Sequence, residues 1–214
     1  MISDFKDKHA GDTCIIIGNG PSLRLVLRPF IDSYVTYGQN KCYLNEPPLV
    51  NFTPDYYVTS DPDGDIDHSI VDNMPCVKFT KKGLGFINAH EFILTRKHIF
   101  STRPDIELYE GYSVSFVSLQ LAYYMGFTTV LLVGVDHRYK PYNPETEDDP
   151  NHYTKEYKGK TDFNEKALAK GALYINESMI LANEAYKRDG RRIVNLTENS
   201  NLKMFEFDSI ENWM

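Results

Sequence analysis

Thr13-Cys14-Ile15-Ile16-Ile17-Gly18-Asn19-Gly20-Pro21-Ser22 is the stretch from which the fold is read. Its first five residues form a short apolar run without alternation, the pattern of a central parallel strand covered on both faces. The run ends in a Gly-Asn-Gly-Pro turn, and apolar residues then recur at Leu23, Val26, Leu27 and Phe30 with helical spacing. Buried strand, tight turn and helix in that order open a strand–helix–strand unit, and the free amides at the start of the helix would attract a phosphate. Gly18, Asn19, Gly20, Pro21 and Ser22 are therefore candidate ligand-binding residues, with Ser22 as a cap or phosphate donor. Pro29 is expected to end or bend the helix. The turn is not a Walker P-loop, because no Gly-Lys-Ser/Thr follows, and it is not the dinucleotide fingerprint, because Leu23 follows Ser22 and the third glycine is absent.

Outward from this stretch, Ser33 to Tyr37, Asp55 to Thr59 and Cys76 to Phe79 read as further strands, and Asn40 falls just past the end of the first of them. Residues 83–110 show no sustained period, with Ile106 to Tyr109 as an edge-strand candidate. Ser113 to Met125 carries Val114, Val117, Leu121 and Ala122 at helical spacing, and Gly126 is placed to cap it. Thr129 to Val135 is a second buried parallel strand with Asp136 at its tip. Residues 138–162 are rich in Pro, Asn, Asp, Tyr and Glu without periodicity, which is the composition of a lid or acceptor loop. Phe163 to Arg188 reads as a long helix with inner positions Ala167, Leu168, Gly171, Ile175, Met179 and Ala182, and Gly190 ends it. Arg192 to Leu196 is a last strand, Thr197 to Leu202 a polar turn, and the tail is expected to pack through Phe205, Phe207 and Trp213. The expected fold is α/β: one Rossmann-like domain over residues 1–214 with a mainly parallel sheet and a long lid loop.

Composition narrows the function classes. The chain has 214 residues, with 30 Asp and Glu against 23 Lys and Arg, for a net charge of −7. Such a surface disfavours nucleic acid, whose backbone needs clustered positive charge. No apolar run has the length of a membrane span, and the polar residues Met1 to Asp12 contain no signal-peptide core, so a cytoplasmic protein is expected. Three scattered cysteines form neither a disulfide framework nor a zinc site. The 15 Tyr and 12 Phe suit an aromatic-walled groove or a plain core, and they permit an interface between copies of the chain without requiring one.

In a parallel sheet the C-terminal strand ends share one edge, where ligands bind. That edge would gather Asn19, Asn40, Asp61 and Asp136. An asparagine offers both a donor and an acceptor to a ribose or base edge. Asp61 and Asp63 could hold Mg²⁺ against a diphosphate, or could belong to a solvated acidic turn. His152, in the loop sequence Asn151-His152-Tyr153, suits proton transfer near neutral pH. His137 is a weaker rival, since its side chain is expected to be directed away from the crevice. Tyr139, Tyr142, Tyr153 and Tyr157 offer hydroxyls to phosphate oxygens or rings to a base. Ser113 is an N-cap that could also hold a phosphate or carboxylate at the crevice edge, and no GxSxG elbow supports a serine nucleophile.

Gly18-Asn19-Gly20-Pro21-Ser22-Leu23, the block Gly111-Tyr112-Ser113-Val114 to Asp136, Asn151-His152-Tyr153 and Arg192 to Thr197 together resemble two related groups. One is the bacterial, Campylobacter-type sialyltransferases. The other is the DUF115 family, which includes motility-associated factor proteins and the archaeal 6-hydroxymethylpterin diphosphokinase. The sialyltransferase resemblance implies a cytidine nucleotide near Asn19, Asn40 and Ser113, its phosphate held by Tyr139 and Tyr142, and His152 as the base that deprotonates an acceptor sugar hydroxyl. Transfer from a CMP-activated or other nucleotide-activated sugar donor to a glycan acceptor would be inverting and would need no cofactor. The diphosphokinase resemblance implies ATP and Mg²⁺, with Asp61 and Asp136 as metal ligands. Asp61-Pro62 stands where the sialyltransferases carry Asn-Pro, which brings this chain nearer to the DUF115 side. A glycosyltransferase is the favoured reading, with the diphosphokinase and a non-catalytic nucleotide-sugar-binding accessory protein as alternatives.

Overall fold

The structure, a computed structural model, describes residues 1–61, 66–143, 145–157 and 165–214. Asp63 of the acidic loop, residues 158–162 of the expected lid, residues 163–164 of the expected last helix and the side chain of Ala167 lie outside the described residues.

Strands β1 (Thr13–Ile17), β2 (Val35–Gln39), β3 (Tyr56–Thr59), β4 (Val77–Lys81), β5 (Ala89–Phe92), β8 (Thr129–Val133), β9 (Arg192–Asn195) and β10 (Glu206–Phe207) form one eight-stranded sheet in the order β10-β9-β8-β1-β2-β3-β4-β5. Every pairing in it is parallel. The short strands β6 (Leu94–Thr95) and β7 (Leu108–Tyr109) pair separately. From β1 the chain steps outward through β2 to β5, then returns to lay β8 on the other side of β1. The strand order therefore reverses between β1 and β8, which is where open α/β sheets place their ligands.

The apolar runs of β1 and β8 are buried on both faces, as continuous runs require. Cys14 and Ile16, with Val130 and Leu132, face one core, while Ile15 and Ile17, with Leu131 and Val133, face the other. Helices α3 (Val114–Tyr124) and α4 (Glu165–Arg188) cover the first face. The second is covered by residues 21–31, by Cys42, Leu49 and Phe52, by Val71 of α2 (His68–Asn73), and by Tyr153 and Tyr157.

Four expectations shift. Residues 22–31 do not form one helix: Pro21–Leu25 is a 3-10 turn, Val26 and Leu27 are extended, and Arg28–Ile31 is a separate short helix, α1. Pro29 has no N–H to continue a helix from Leu25, and it stands in the first turn of α1, where that N–H is not needed. The second strand begins two residues later than expected, because Ser33 and Tyr34 remain hydrogen-bonded to Phe30 and Ile31 in the turn that closes α1. Residues 83–110 hold the edge strand β5 and the β6–β7 pair. The α3 stripe becomes burial of every residue from Ser115 to Tyr124. Gln120 makes this tolerable: its side chain accepts from the amides of Ser101 and Tyr109 at 2.9 and 3.1 Å and donates to the Tyr109 carbonyl at 2.9 Å. Gly126 ends α3 at φ +93°, with its amide on the Tyr123 carbonyl at 3.1 Å and that of Phe127 on Ala122 at 3.2 Å. In the tail, Phe205 is buried, Trp213 packs partly against the core and Phe207 is largely exposed.

Candidate active site

The tips of β1 and β8 touch each other. The amides of Gly18 and Gly20 donate to the carbonyls of Val133 and Gly134, each at 2.8 Å. A Cβ at Gly18 would stand 2.3 Å from the Gly134 oxygen, and one at Gly20 would stand 2.1 Å from an Asp136 carboxylate oxygen. The glycines thus serve close approach between the two strand tips. Asp136 accepts from the Ser22 hydroxyl at 2.7 Å and from the Ser22 amide at 3.3 Å. The anion at the amide end of this turn is the protein's own carboxylate, and the structure gives Ser22 a capping contact where the sequence suggested a phosphate. Pro21 and Ser22 do not line the crevice.

The crevice itself holds about 220 Å³. It is lined by Gly18, Asn19 and Gly20 just after β1, by Gln39 at the end of β2 and Asn40 after it, and by residues 134–139 just after β8. The N-terminus of α3 enters with Tyr112, Ser113, Val114 and Ser115, and α4 supplies Ile175 and Met179. Asn151, His152 and Tyr157 close it from the loop. Of the expected site residues, Gly18, Asn19, Gly20, Asn40, Ser113, Asp136, Tyr139 and His152 are brought together here.

Asn19 is 9% exposed and donates through Nδ2 to the Gln39 carbonyl at 3.0 Å and to the Tyr157 hydroxyl at 3.4 Å. Its Oδ1 is buried without a hydrogen-bond partner among the described residues. Asn40 adopts φ +45°, and its Oδ1 accepts from the Thr59 hydroxyl at 3.0 Å. Ser113 caps α3 by accepting from the Ser115 amide at 3.2 Å, so the positive end of that helix dipole faces the crevice. Gln39 was not singled out by the sequence because its strand was read as ending at Tyr37. It is buried, donates to the Ser118 hydroxyl at 2.8 Å and accepts from the Ser115 hydroxyl at 2.9 Å, tying β2 to α3 beneath the ligand space.

His152 has a partner that the sequence reading missed. Its Nδ1 lies 2.8 Å from Oδ2 of the fully buried Asp149, and its ring stacks on Tyr157 with centroids 3.7 Å apart at 5°. Asp149 also accepts from the Asn151 amide at 2.8 Å and the Tyr142 hydroxyl at 2.9 Å. Burial pushes the Asp149 carboxyl upward, and the His152, Asn151 and Tyr142 contacts outweigh it, leaving the pKa below its ordinary value. In the neutral ring, an ionised Asp149 places the proton on Nδ1 and leaves the lone pair on Nε2 of His152. The signal available in the sequence was an acid three residues before the histidine, in Asp149-Pro150-Asn151-His152.

Two tyrosines expected at the ligand are placed elsewhere. Tyr142 holds Asp149, and Tyr153 is buried in the second core, its amide donating to the Asn19 carbonyl at 2.8 Å and its hydroxyl reaching the Lys41 carbonyl at 3.4 Å. Tyr139 stands at the crevice, its ring nearly perpendicular to that of His137 with centroids 5.5 Å apart. The described part of the loop is strapped down. Asn151 exchanges two hydrogen bonds with the backbone of Lys140 at 2.7 and 2.8 Å, Lys41 Nζ donates to the Tyr157 carbonyl at 2.9 Å, and Arg24 donates to the Tyr153 carbonyl.

Asp61 is exposed just beyond β3 and does not line the crevice with Asp136. Among the described residues, no group of three or more His, Cys, Asp or Glu side chains is placed to hold a metal ion. Asp67 caps α2, accepting from the amides of Ser69 and Ile70. No helix among the described residues is long and apolar enough to cross a membrane.

No protein-family model and no curated protein matches the chain. Among solved structures, the fold is similar to that of the sialyltransferase CstII from Campylobacter jejuni, described in complex with a substrate analogue, cytidine-5′-monophosphate. The TM-score is 0.51 at 13% identity, over 94% of this chain and 86% of that one. The chain has a sialyltransferase-like α/β fold with a mainly parallel sheet.

Proposed function

We propose that the chain is a glycosyltransferase that moves a sugar from a nucleotide-activated donor, of the CMP-linked type, to a hydroxyl of a glycan acceptor. The observation that carries this reading is the Asp149–His152 pair at the mouth of a crevice built on the β1/β8 switch point. The likeness in fold to a sialyltransferase described with cytidine monophosphate supports it. In the proposed reaction Asp149 fixes the proton on Nδ1, and Nε2 of His152 takes the proton of the acceptor hydroxyl. That oxygen then forms its bond to the anomeric carbon as the bond from this carbon to the donor phosphate breaks, with inversion. The α3 N-terminus, with Ser113, offers a positive dipole to the departing phosphate. The stack on Tyr157 and the bond to Asp149 hold the imidazole in one orientation.

The diphosphokinase alternative, with ATP and Mg²⁺, draws less support, since Asp136 is engaged by Ser22 and Asp61 lies outside the crevice lining. Calorimetry with CMP, CDP, UDP and ATP, each with and without Mg²⁺, tests the choice. Binding of CMP that is insensitive to Mg²⁺ is the expected result, and a preference for ATP with Mg²⁺ would transfer the assignment to phosphoryl transfer. Once a donor is in hand, His152→Asn should keep CMP affinity within about threefold while lowering turnover about 10²- to 10⁴-fold. A variant with undiminished turnover would remove His152 from the chemistry.

A further inference from the structure

His137 follows Asp136 at the tip of β8 and lines the crevice. It is 8% exposed, and among the described residues neither ring nitrogen has a hydrogen-bond partner. Its backbone is left-handed, at φ +50°, a conformation that a non-glycine residue keeps only when its surroundings impose it. Asn201 donates to its carbonyl at 3.2 Å, and its ring stands nearly perpendicular to that of Tyr139. Burial lowers the pKa of the ring, and the nearby groups of α4, the Ala172 carbonyl and the Asn176 side chain, act more weakly in the other direction without completing a hydrogen bond. These α4 positions flank Ile175 and Met179, which line the same wall of the crevice, as does Leu202 next to Asn201. A buried polar group left unpaired is destabilising, and its retention at a ligand-facing position has a natural explanation in a ligand that pairs with it.

A second group points the same way. Asn19 uses its Nδ2 on protein acceptors, and its Oδ1 remains buried and unpartnered in the same crevice. An amide oxygen can only accept. A neutral imidazole offers one of its two nitrogens as an acceptor. We infer that His137 is a specificity-determining residue of the crevice, accepting a hydrogen bond from an uncharged N–H or O–H donor of the nucleotide, alongside Asn19 Oδ1. Two sources offer that chemistry: the exocyclic amino group of an aminopyrimidine base and a ribose hydroxyl. This assignment rests on the nucleotide-binding reading above.

The test compares CMP, UMP and 2′-deoxy-CMP by calorimetry on wild-type protein and His137→Phe, which keeps the ring shape and removes both nitrogens. The expected result is a CMP affinity weakened about tenfold in the variant. The wild-type preference for CMP over UMP should disappear if the base supplies the donor, and the preference for CMP over 2′-deoxy-CMP if the ribose does. A variant that binds CMP within twofold of wild type, while wild type binds it well, overturns the role of His137 and leaves the nucleotide reading intact. Wild-type protein that binds none of the three overturns both. Nitrogen-15 spectra of the wild-type imidazole give a readout that does not depend on the variant folding: a His137 ring resonance that moves to the hydrogen-bonded range on addition of CMP supports the assignment, and one that stays in place overturns it.

Discussion

His152 owes its orientation to a carboxylate three residues upstream. Asp149 is fully buried, and its charge is held by the His152 ring, the Asn151 amide and the Tyr142 hydroxyl. Asp149→Asn should leave the loop folded and lower turnover by about a hundredfold or more, because an amide can donate to Nδ1 and so favour the wrong tautomer. A pre-steady-state measurement of transfer from a bound donor would show it as a loss in rate with binding retained. The glycines of the first turn act differently. Gly18 tolerates no side chain, since a Cβ would lie 2.3 Å from a backbone oxygen that cannot retreat without parting β1 from β8. Gly18→Ala is expected to destabilise the protein by about 1–3 kcal/mol or more, read as a lower urea midpoint at unchanged slope.

The segments that were legible as elements were those with a continuous or sustained apolar pattern: β1, β8, α3 and α4. The misread ones depended on a proline or on side chains distant in sequence. Pro29 begins α1 rather than ending a longer helix, a distinction that the spacing of Leu23, Val26, Leu27 and Phe30 does not carry. The end of α3 was readable because Gly126 is both a cap and a packing position. At φ +93° an alanine is strained, and its Cβ would lie 2.9 Å from Ala10 Cα. Gly126→Ala should therefore cost more than the ~1 kcal/mol of an unhindered capping glycine, measurable as a drop in the thermal midpoint. The loop after β8 reads as a lid or acceptor loop from its composition; its described part is docked on the sheet edge through Asn19, Lys41 and Arg24, whose participation no local pattern announces.

At the scale of the molecule, the sheet order makes the site. The reversal between β1 and β8 opens a crevice at their tips, and the return of the chain through α3 and α4 gives it a helix N-terminus and an apolar wall. Burial of His137 there should appear in global stability. Its pKa is lowered chiefly by burial, so the neutral ring favours the folded state; that contribution is present above the ordinary histidine value of about 6.5 and is lost as the pH falls through the lowered folded value. The thermal midpoint of wild type should fall relative to that of His137→Phe as the pH is taken from about 7.5 to 5.5, and parallel curves would show that the ring does not titrate in this window. The sequence by itself determined the α/β class, the two central strands, the long helices, the strand-tip positions of Asn19, Asn40 and Asp136 and the loop position of His152, because buried parallel strands, their turns and the loops between them carry local apolar and compositional signatures. Only the tertiary structure decided that Asp136 caps Ser22, that Asp61 stands outside the crevice, that Tyr142 and Asp149 brace His152, and that His137 and Asn19 are left with buried polar atoms unpaired among the described residues. Those outcomes depend on which side chains of separate segments meet at the sheet edge, and chain packing sets that, not local periodicity.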